Sequence, residues 1–149
     1  MMMKKSVFML MLTAVLLTAG CGTVTEHKST PDYDDYMSSV KEQSNRIKQF
    51  LEQDALTQAD MNAKSKQLHE LWDEAMNVLW SELKTHLPEE EFAVLQDEQR
   101  VWMAEREKRV KEAGEKYAGG SVYPLIVNGE AAAMTEERVY RLYELLEGK

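Results

Sequence analysis

The spacing of apolar residues from position 33 onwards is that of amphipathic helices. Apolar side chains recur at intervals of three and four, so that they fall on one face of a helix and leave the charged residues on the other. The first such stripe consists of Tyr33, Met37, Val40, Ser44, Ile47 and Leu51. This period predicts an all-α chain. It leaves open whether the first helix packs on the rest of the domain or stands apart as a stalk.

Two longer helices are predicted to form an antiparallel hairpin. Thr57, with Asp60 three positions later, is a variant of the capping box and begins a helix of about 30 residues that ends near His86. The next helix is predicted from about Pro88 to Tyr117, because proline is tolerated in a first turn. The two stripes are Met61, Leu68, Trp72, Ala75, Leu79 and Leu83, and then Phe92, Leu95, Gln99, Trp102, Arg106, Val110, Ala113 and Tyr117.

Two polar residues, Gln99 and Arg106, lie on the apolar stripe of the third helix. Both can lay their methylenes over a core while the polar end stays in water. If Arg106 points inward it needs a partner, because an unpaired buried guanidinium is costly. In a hairpin that turns near residues 87 and 88, Arg106 lies beside His69 and within one helical turn of Asp73. We therefore predict a contact between Arg106 and Asp73.

The helical pattern is interrupted at Gly119-Gly120-Ser121. A nucleotide-binding loop is a poor interpretation, because no strand precedes these residues and no Gly-Lys-Ser/Thr sequence follows. A helix C-terminus is the better one. Residues 123–127 are then predicted to be an apolar return segment that covers the hairpin. Thr135 is predicted to cap a short last helix whose buried face carries Val139, Leu142, Leu145 and Leu146.

The N-terminus has the layout of an exported lipoprotein. Lys4 and Lys5 precede an apolar run over residues 7–20, which as a helix would rise only about 21 Å against a bilayer core of roughly 30 Å. Leu-Thr-Ala-Gly-Cys at residues 17–21 resembles the lipobox of bacterial lipoproteins, which implies cleavage before Cys21 and lipidation of its thiol. An ordinary signal peptide with a chance cysteine is the alternative. Residues 22–32 would form a flexible tether.

The charge balance and the residue counts exclude several classes of function. The chain has 18 basic and 26 acidic residues, and without residues 1–20 it has 16 against 26, a net charge of −10. This charge argues against nucleic acid and favours a basic partner. A single cysteine cannot form a disulfide within the chain, and three scattered histidines do not predict a metal site. No catalytic motif is present, so we expect neither an enzyme nor a cofactor.

Five short motifs occur in order between residues 57 and 146. They are Thr57-Gln58-Ala59-Asp60-Met61-Asn62, then Asp73 with Met76-Asn77 and Trp80, then Gln99-Arg100-Val101-Trp102 with Arg106, then Gly119-Gly120-Ser121, and finally Thr135-Glu136-Glu137-Arg138. This segment resembles the LprI-like domain of small bacterial envelope proteins, a family named for a lipoprotein that inhibits lysozyme. Many members carry cysteines near the positions that Lys64, Val110 and Ala131 or Ala132 occupy in this sequence, and this chain has no cysteine at any of them. Stability is therefore not expected to depend on oxidation.

The resemblance implies a helical domain with a binding function. The predicted fold is a long antiparallel hairpin with an N-terminal helix and a short C-terminal helix packed on it. The predicted organisation is a signal peptide at 1–20, the lipidated cysteine and tether at 21–32, an N-terminal helix at 33–56 and the LprI-like domain at 57–149. The candidate residues for partner binding or for a structural lock are Asp73, Asn77, Trp80, Gln99, Trp102, Arg106 and Arg138.

Two functions are compatible with this picture. The first is an exported lipoprotein, anchored to a membrane through Cys21, that inhibits lysozyme or another basic cell-wall hydrolase. The second is a structural or interaction module of the envelope without inhibitor activity, in which Tyr33, Tyr36 and Tyr123 contact another protein. Depending on the host, the membrane would be the outer membrane or the outer face of the plasma membrane.

Overall fold

The computed structural model describes residues 33–148, and over this range the chain forms four α-helices and no β-strand. The helices are α1 (Tyr33–Leu51), α2 (Gln58–His86), α3 (Glu89–Gly114) and α4 (Tyr123–Glu147), and a single 3₁₀ turn, Glu115–Tyr117, follows α3. The predicted all-α class is confirmed. The export signal, Cys21 and the tether lie outside the described residues.

The start of α2 is fixed by the predicted capping box. The Thr57 hydroxyl accepts a hydrogen bond from the backbone N–H of Asp60 at 3.2 Å, and the Asp60 carboxylate accepts one from the backbone N–H of Thr57 at 3.2 Å. Two backbone donors that a helix start leaves without partners are thereby satisfied. Pro88 is the residue immediately before α3, and three glutamates occupy the first turn, where they complement the helix dipole.

The helices alternate in direction, so α2 and α4 run parallel to each other and antiparallel to α1 and α3. Near one end of the domain the side-chain amide of Asn62 donates to the backbone carbonyl of Ser121 at 2.9 Å. Further along the same pair of helices the rings of Trp72 and Tyr140 lie 5.7 Å apart. Of the contacts between helices within residues 33–148, those between α2 and α4 are the most extensive.

The helix α1 is part of the packed domain. Its residues Met37, Val40 and Ile47 are buried in the core. The indole N–H of the fully buried Trp72 donates to the Ser44 hydroxyl at 3.2 Å, which satisfies the only polar atom of that ring. The first helix therefore packs on the rest of the domain and does not stand apart as a stalk, because a stalk would leave Trp72 exposed on that side. The remainder of the core comes from Leu68, Ala75, Met76, Leu79, Leu83, Phe92, Leu95, Ala132, Val139 and Leu142.

The predictions of an apolar return segment at 123–127 and of a short last helix starting at Thr135 were wrong. A single helix of 25 residues begins at Tyr123, with Pro124 in its first turn. Thr135 lies in the middle of this helix and is fully buried, and its hydroxyl donates to the carbonyl of Ala131, four residues earlier, at 2.7 Å. Packing on α2 outweighs the weak helix propensity of the β-branched residues and Gly129.

The hairpin of α2 and α3 is antiparallel, as predicted, but its two backbones approach each other less closely than either approaches α4. Large side chains bridge the gap. The rings of Trp80 and Phe92 lie 5.1 Å apart near the turn, and Gln99 reaches Met76 with its side-chain amide. Because the spacing of two helices follows the size of the side chains between them, a cleft opens between α2 and α3.

The helix α3 ends at Gly114, and only the 3₁₀ turn continues to Tyr117. Gly114 is buried where α4 begins, and a Cβ atom at this position would lie 2.7 Å from side-chain atoms of both Tyr123 and Val127. The chain reverses after Gly119, whose φ of 77° is a left-handed conformation that favours glycine. None of the helices between residues 33 and 148 is long and apolar enough to span a bilayer.

Candidate functional site

Arg106 joins three helices through its guanidinium. Its Nη1 donates to Asp73 Oδ1 on α2 at 2.9 Å and to the Thr135 hydroxyl on α4 at 3.0 Å. The predicted contact between Arg106 and Asp73 is confirmed. The arginine side chain is 21% exposed and the aspartate 39% exposed, so water partly screens the ion pair.

Arg138 forms a second link, between α4 and α3. Its Nε donates to Gln99 Oε1 at 2.8 Å, and the Gln99 side-chain amide donates to the sulfur of Met76 on α2 at 3.4 Å. Gln99 is therefore a buried, hydrogen-bonded residue and does not extend to solvent. Burial lowers the pKa of Arg138, and the carboxylate of Glu98, 4.0 Å from its guanidinium, opposes that shift.

Trp102 lies between the two arginines. Its ring centre is 4.9 Å from Cζ of Arg106 and 5.9 Å from Cζ of Arg138, distances at which a cation is attracted to the face of an indole. The connected set of Asp73, Gln99, Trp102, Arg106, Thr135 and Arg138 is referred to below as the polar cluster. It crosslinks α2, α3 and α4 by side-chain contacts.

The structure brings five of the seven predicted candidates into this cluster and leaves two outside it. Trp80 packs on Phe92 towards the turn between α2 and α3, and Asn77 is exposed along the cleft. Thr135 was not among the candidates, because its position before two glutamates indicated a helix cap. The sequence nevertheless indicates that Thr135 lies within a helix. Ala131, Thr135 and Val139 are four positions apart, and this helical spacing continues through the residue that was predicted to be a cap.

Two hollows adjoin the Asp73–Arg106 pair, and together we call them the cleft. The first lies between α2 and α3 where α4 passes, and the second is lined by residues of α2 alone. The first, of about 600 Å³, is lined mainly by apolar side chains with charged groups at its rim, and we call it the apolar hollow. The second, of about 510 Å³, carries three carboxylates, and we call it the acidic hollow. Besides His69, which lines both, the apolar hollow is lined by Met103, Ala104, Val110, Tyr123, Ala131, Arg106, Glu107 and Lys111, and the acidic hollow by Glu70, Asp73, Glu74, Asn77, Val78 and Ser81.

His69 borders both hollows. Its Nε2 is buried, lies 4.0 Å from Asp73 Oδ1 and has no hydrogen-bond partner within residues 33–148. Burial lowers the pKa of His69, and the negative charge of Asp73 opposes that shift. In this part of the chain no group of three His, Cys, Asp or Glu residues is arranged to hold a metal ion.

These features define a small all-α domain that is crosslinked by polar side chains and has an open cleft on its surface. The chain belongs to the lysozyme inhibitor LprI family, whose model matches residues 51–142. The match confirms the predicted resemblance and covers α2, α3, most of α4 and all seven candidate residues, whereas α1 lies before it except for Leu51. Comparisons with curated proteins and with solved structures give no match.

Proposed function

We propose that this protein is an exported lipoprotein of the cell envelope that binds and inhibits lysozyme or a related basic cell-wall hydrolase. The observation that carries the proposal is membership of the lysozyme inhibitor LprI family over residues 51–142. Charge supports it, because 16 basic against 26 acidic residues after position 20 would attract a basic hydrolase and raise the rate of association. An inhibitor of this kind acts by binding and needs no catalytic residues of its own.

In this proposal the polar cluster acts as a structural lock. Its hydrogen bonds link α2, α3 and α4 on one side of the cleft, so the surface that a partner meets is formed before binding. Rigidity of this kind increases affinity because less conformational freedom is lost in the complex. Asn77, which is exposed and lines the acidic hollow, is then the predicted candidate best placed to contact the partner directly.

The alternative of a purely structural envelope module receives less support from α1. In that hypothesis Tyr33, Tyr36 and Tyr123 are contact residues for another protein. Tyr123 is exposed, but the Tyr33 hydroxyl donates to the carboxylate of Glu82 at 2.7 Å, and Tyr33 and Tyr36 both pack against the core. These contacts favour α1 as a packing element of the domain.

The inhibitor proposal is tested with purified residues 22–149, which contain the whole packed domain. At micromolar concentration and low salt this protein should slow the lysis of a peptidoglycan suspension by lysozyme. The effect should weaken as salt is added, because screening shortens the range of the attraction between opposite charges. If micromolar protein leaves the rate of lysis unchanged at low salt, inhibition of lysozyme is excluded.

The lipid anchor on Cys21 is a separate part of the proposal. Several acyl chains hold a protein at a membrane because each buried methylene contributes roughly 0.8 kcal/mol. Cys21→Ala should abolish labelling by a fatty-acid analogue and release the protein from the membrane fraction. Thr23→Ala is the matched control and should retain both. Unchanged labelling and fractionation of Cys21→Ala would show that the cysteine is not the anchor.

A further inference from the structure

Exposed apolar side chains are concentrated at the two hollows of the cleft. Among the described residues five large hydrophobic side chains are exposed, and three of them line the two hollows: Val78, Met103 and Tyr123. Met103 is 50% exposed and Tyr123 38%. Exposed apolar side chains grouped in a groove and rimmed by polar residues are typical of interaction sites, whereas isolated ones are ordinary surface features.

The acidic hollow supplies negative charge beside this apolar surface. The carboxylates of Glu70, Asp73 and Glu74 line it together with the amide of Asn77. Asp73 is bound to Arg106, and Glu70 forms an ion pair with Lys66 one turn earlier. Glu74 is exposed and lines the same hollow, so it adds a carboxylate beyond those two pairs.

The two hollows are neighbours because the Asp73–Arg106 pair and His69 form the ridge between them. A segment that crosses this ridge meets mainly apolar side chains, flanked by Glu107 and Lys111, on the α3 side and three carboxylates on the α2 side. The apolar hollow and the acidic hollow therefore adjoin the same ion pair.

We propose that this cleft is the surface that contacts the partner, and that it takes up a segment in which a lysine or arginine stands next to a large apolar side chain. The apolar side chain enters the hollow lined by Met103, Val110 and Tyr123, and the cation lies against Glu74 across the ridge. This inference rests on the proposed function in one respect, namely that the partner is a basic protein. It goes further by assigning the surface and the chemistry of the inserted segment.

Two pairs of variants test the surface in binding measurements with lysozyme. Met103→Ser removes the exposed apolar anchor, and Val101→Ser is its control, since Val101 is on the same helix, is 71% exposed and lies outside both hollows. Glu74→Lys reverses a charge in the cleft, and Glu137→Lys makes the same change in net charge on the exposed surface of α4, away from the hollows. The cleft variants should weaken binding by about tenfold or more. The controls should stay within about twofold of the unaltered protein.

A second measurement does not depend on lysozyme. The blocked peptide Arg-Trp-Arg is titrated into residues 22–149 while backbone amide chemical shifts are recorded. The shifts should be concentrated at Glu74, Asn77, Met103 and Tyr123, and Glu74→Lys should reduce them whereas Glu137→Lys should not.

The outcomes separate this inference from the proposed function. If the unaltered protein inhibits lysozyme and all four variants bind equally well, the function stands and the cleft is not the contact surface. If the protein does not bind lysozyme, the function fails, and peptide shifts that are absent or lie outside the cleft then overturn the inference as well. If Met103→Ser instead dissociates a dimer in sedimentation, a second copy of the chain occupies the cleft and the inference is wrong.

Discussion

Replacement of Arg106 by methionine measures how much the polar cluster contributes to the stability of the domain. Methionine retains an unbranched apolar stem of similar reach, so the packing of the methylenes is largely kept while the guanidinium is lost. The variant loses the hydrogen bonds to Asp73 at 2.9 Å and to Thr135 at 3.0 Å, together with the contact of the cation with the Trp102 ring at 4.9 Å.

The expected loss of unfolding free energy can be worked out contact by contact. The ion pair with Asp73 is partly exposed and contributes about 0.5 kcal/mol. The hydrogen bond to the buried Thr135 hydroxyl contributes about 1 to 1.5 kcal/mol, and the cation–π contact about 0.5 to 1 kcal/mol. Thr135 keeps its bond to the Ala131 carbonyl, so no buried donor is left without a partner. We therefore expect a loss of about 2 to 3 kcal/mol.

The assay is urea unfolding followed by circular dichroism at neutral pH. Arg109→Met is the matched control, because Arg109 lies on the same helix and forms a 2.8 Å ion pair with Glu130 but is 53% exposed. Its loss should stay below about 0.5 kcal/mol. Equal losses in the two variants, or a loss under about 1 kcal/mol for Arg106→Met, would refute the description of the cluster as a lock.

Two further predictions concern the ends of the helices. Gly114→Ala should lower the unfolding free energy by about 1 to 3 kcal/mol in the same assay, although alanine favours helix, because the added methyl group would lie 2.7 Å from Tyr123 and Val127. Burial, reinforced by the hydrogen bond to Glu82, raises the pKa of Tyr33 to about 12, so this phenol is harder to ionise in the folded chain than in the unfolded one. The contribution of the neutral phenol to the unfolding free energy is complete below pH 10 and is lost as the pH rises towards 12. Over this interval the unfolding free energy should therefore fall less steeply for Tyr33→Phe than for the unaltered protein. An unchanged midpoint for Gly114→Ala, or identical pH slopes with and without the Tyr33 hydroxyl, would contradict these two explanations.

The helices α1 and α2 could be predicted closely from the sequence, because the information that determines them is local. The capping box of Thr57 and Asp60 fixes one boundary, and the spacing of Trp72 and its neighbours identifies the buried face. The contact between Arg106 and Asp73 was also accessible, although it joins residues 33 positions apart. A short turn sets the register of the hairpin, and the cost of an unpaired buried charge then requires a partner within reach.

The course of α4 and the pairing of Gln99 with Arg138 could not be predicted in the same way. Thr135 followed by two glutamates has the composition of a helix start, and only the position of α4 against α2 buries it in mid-helix. A prediction that starts the last helix at Thr135 does not fix its position against α3, so it does not pair Arg138 with Gln99. The partner of a buried polar group depends on which helix lies across from it, and this information is not local.

The contacts of α1 show that the unit that packs together is larger than the segment that the family model matches. That match begins at Leu51, the last residue of α1. The helix nevertheless supplies Met37, Val40 and Ile47 to the core and the hydroxyl of Ser44 to the indole of Trp72. Since Trp72 belongs to the matched segment and is fully buried, part of the matched domain's own core is completed from outside it. The N-terminal helix is therefore a component of the domain, and within residues 33–148 the packed unit includes all four helices.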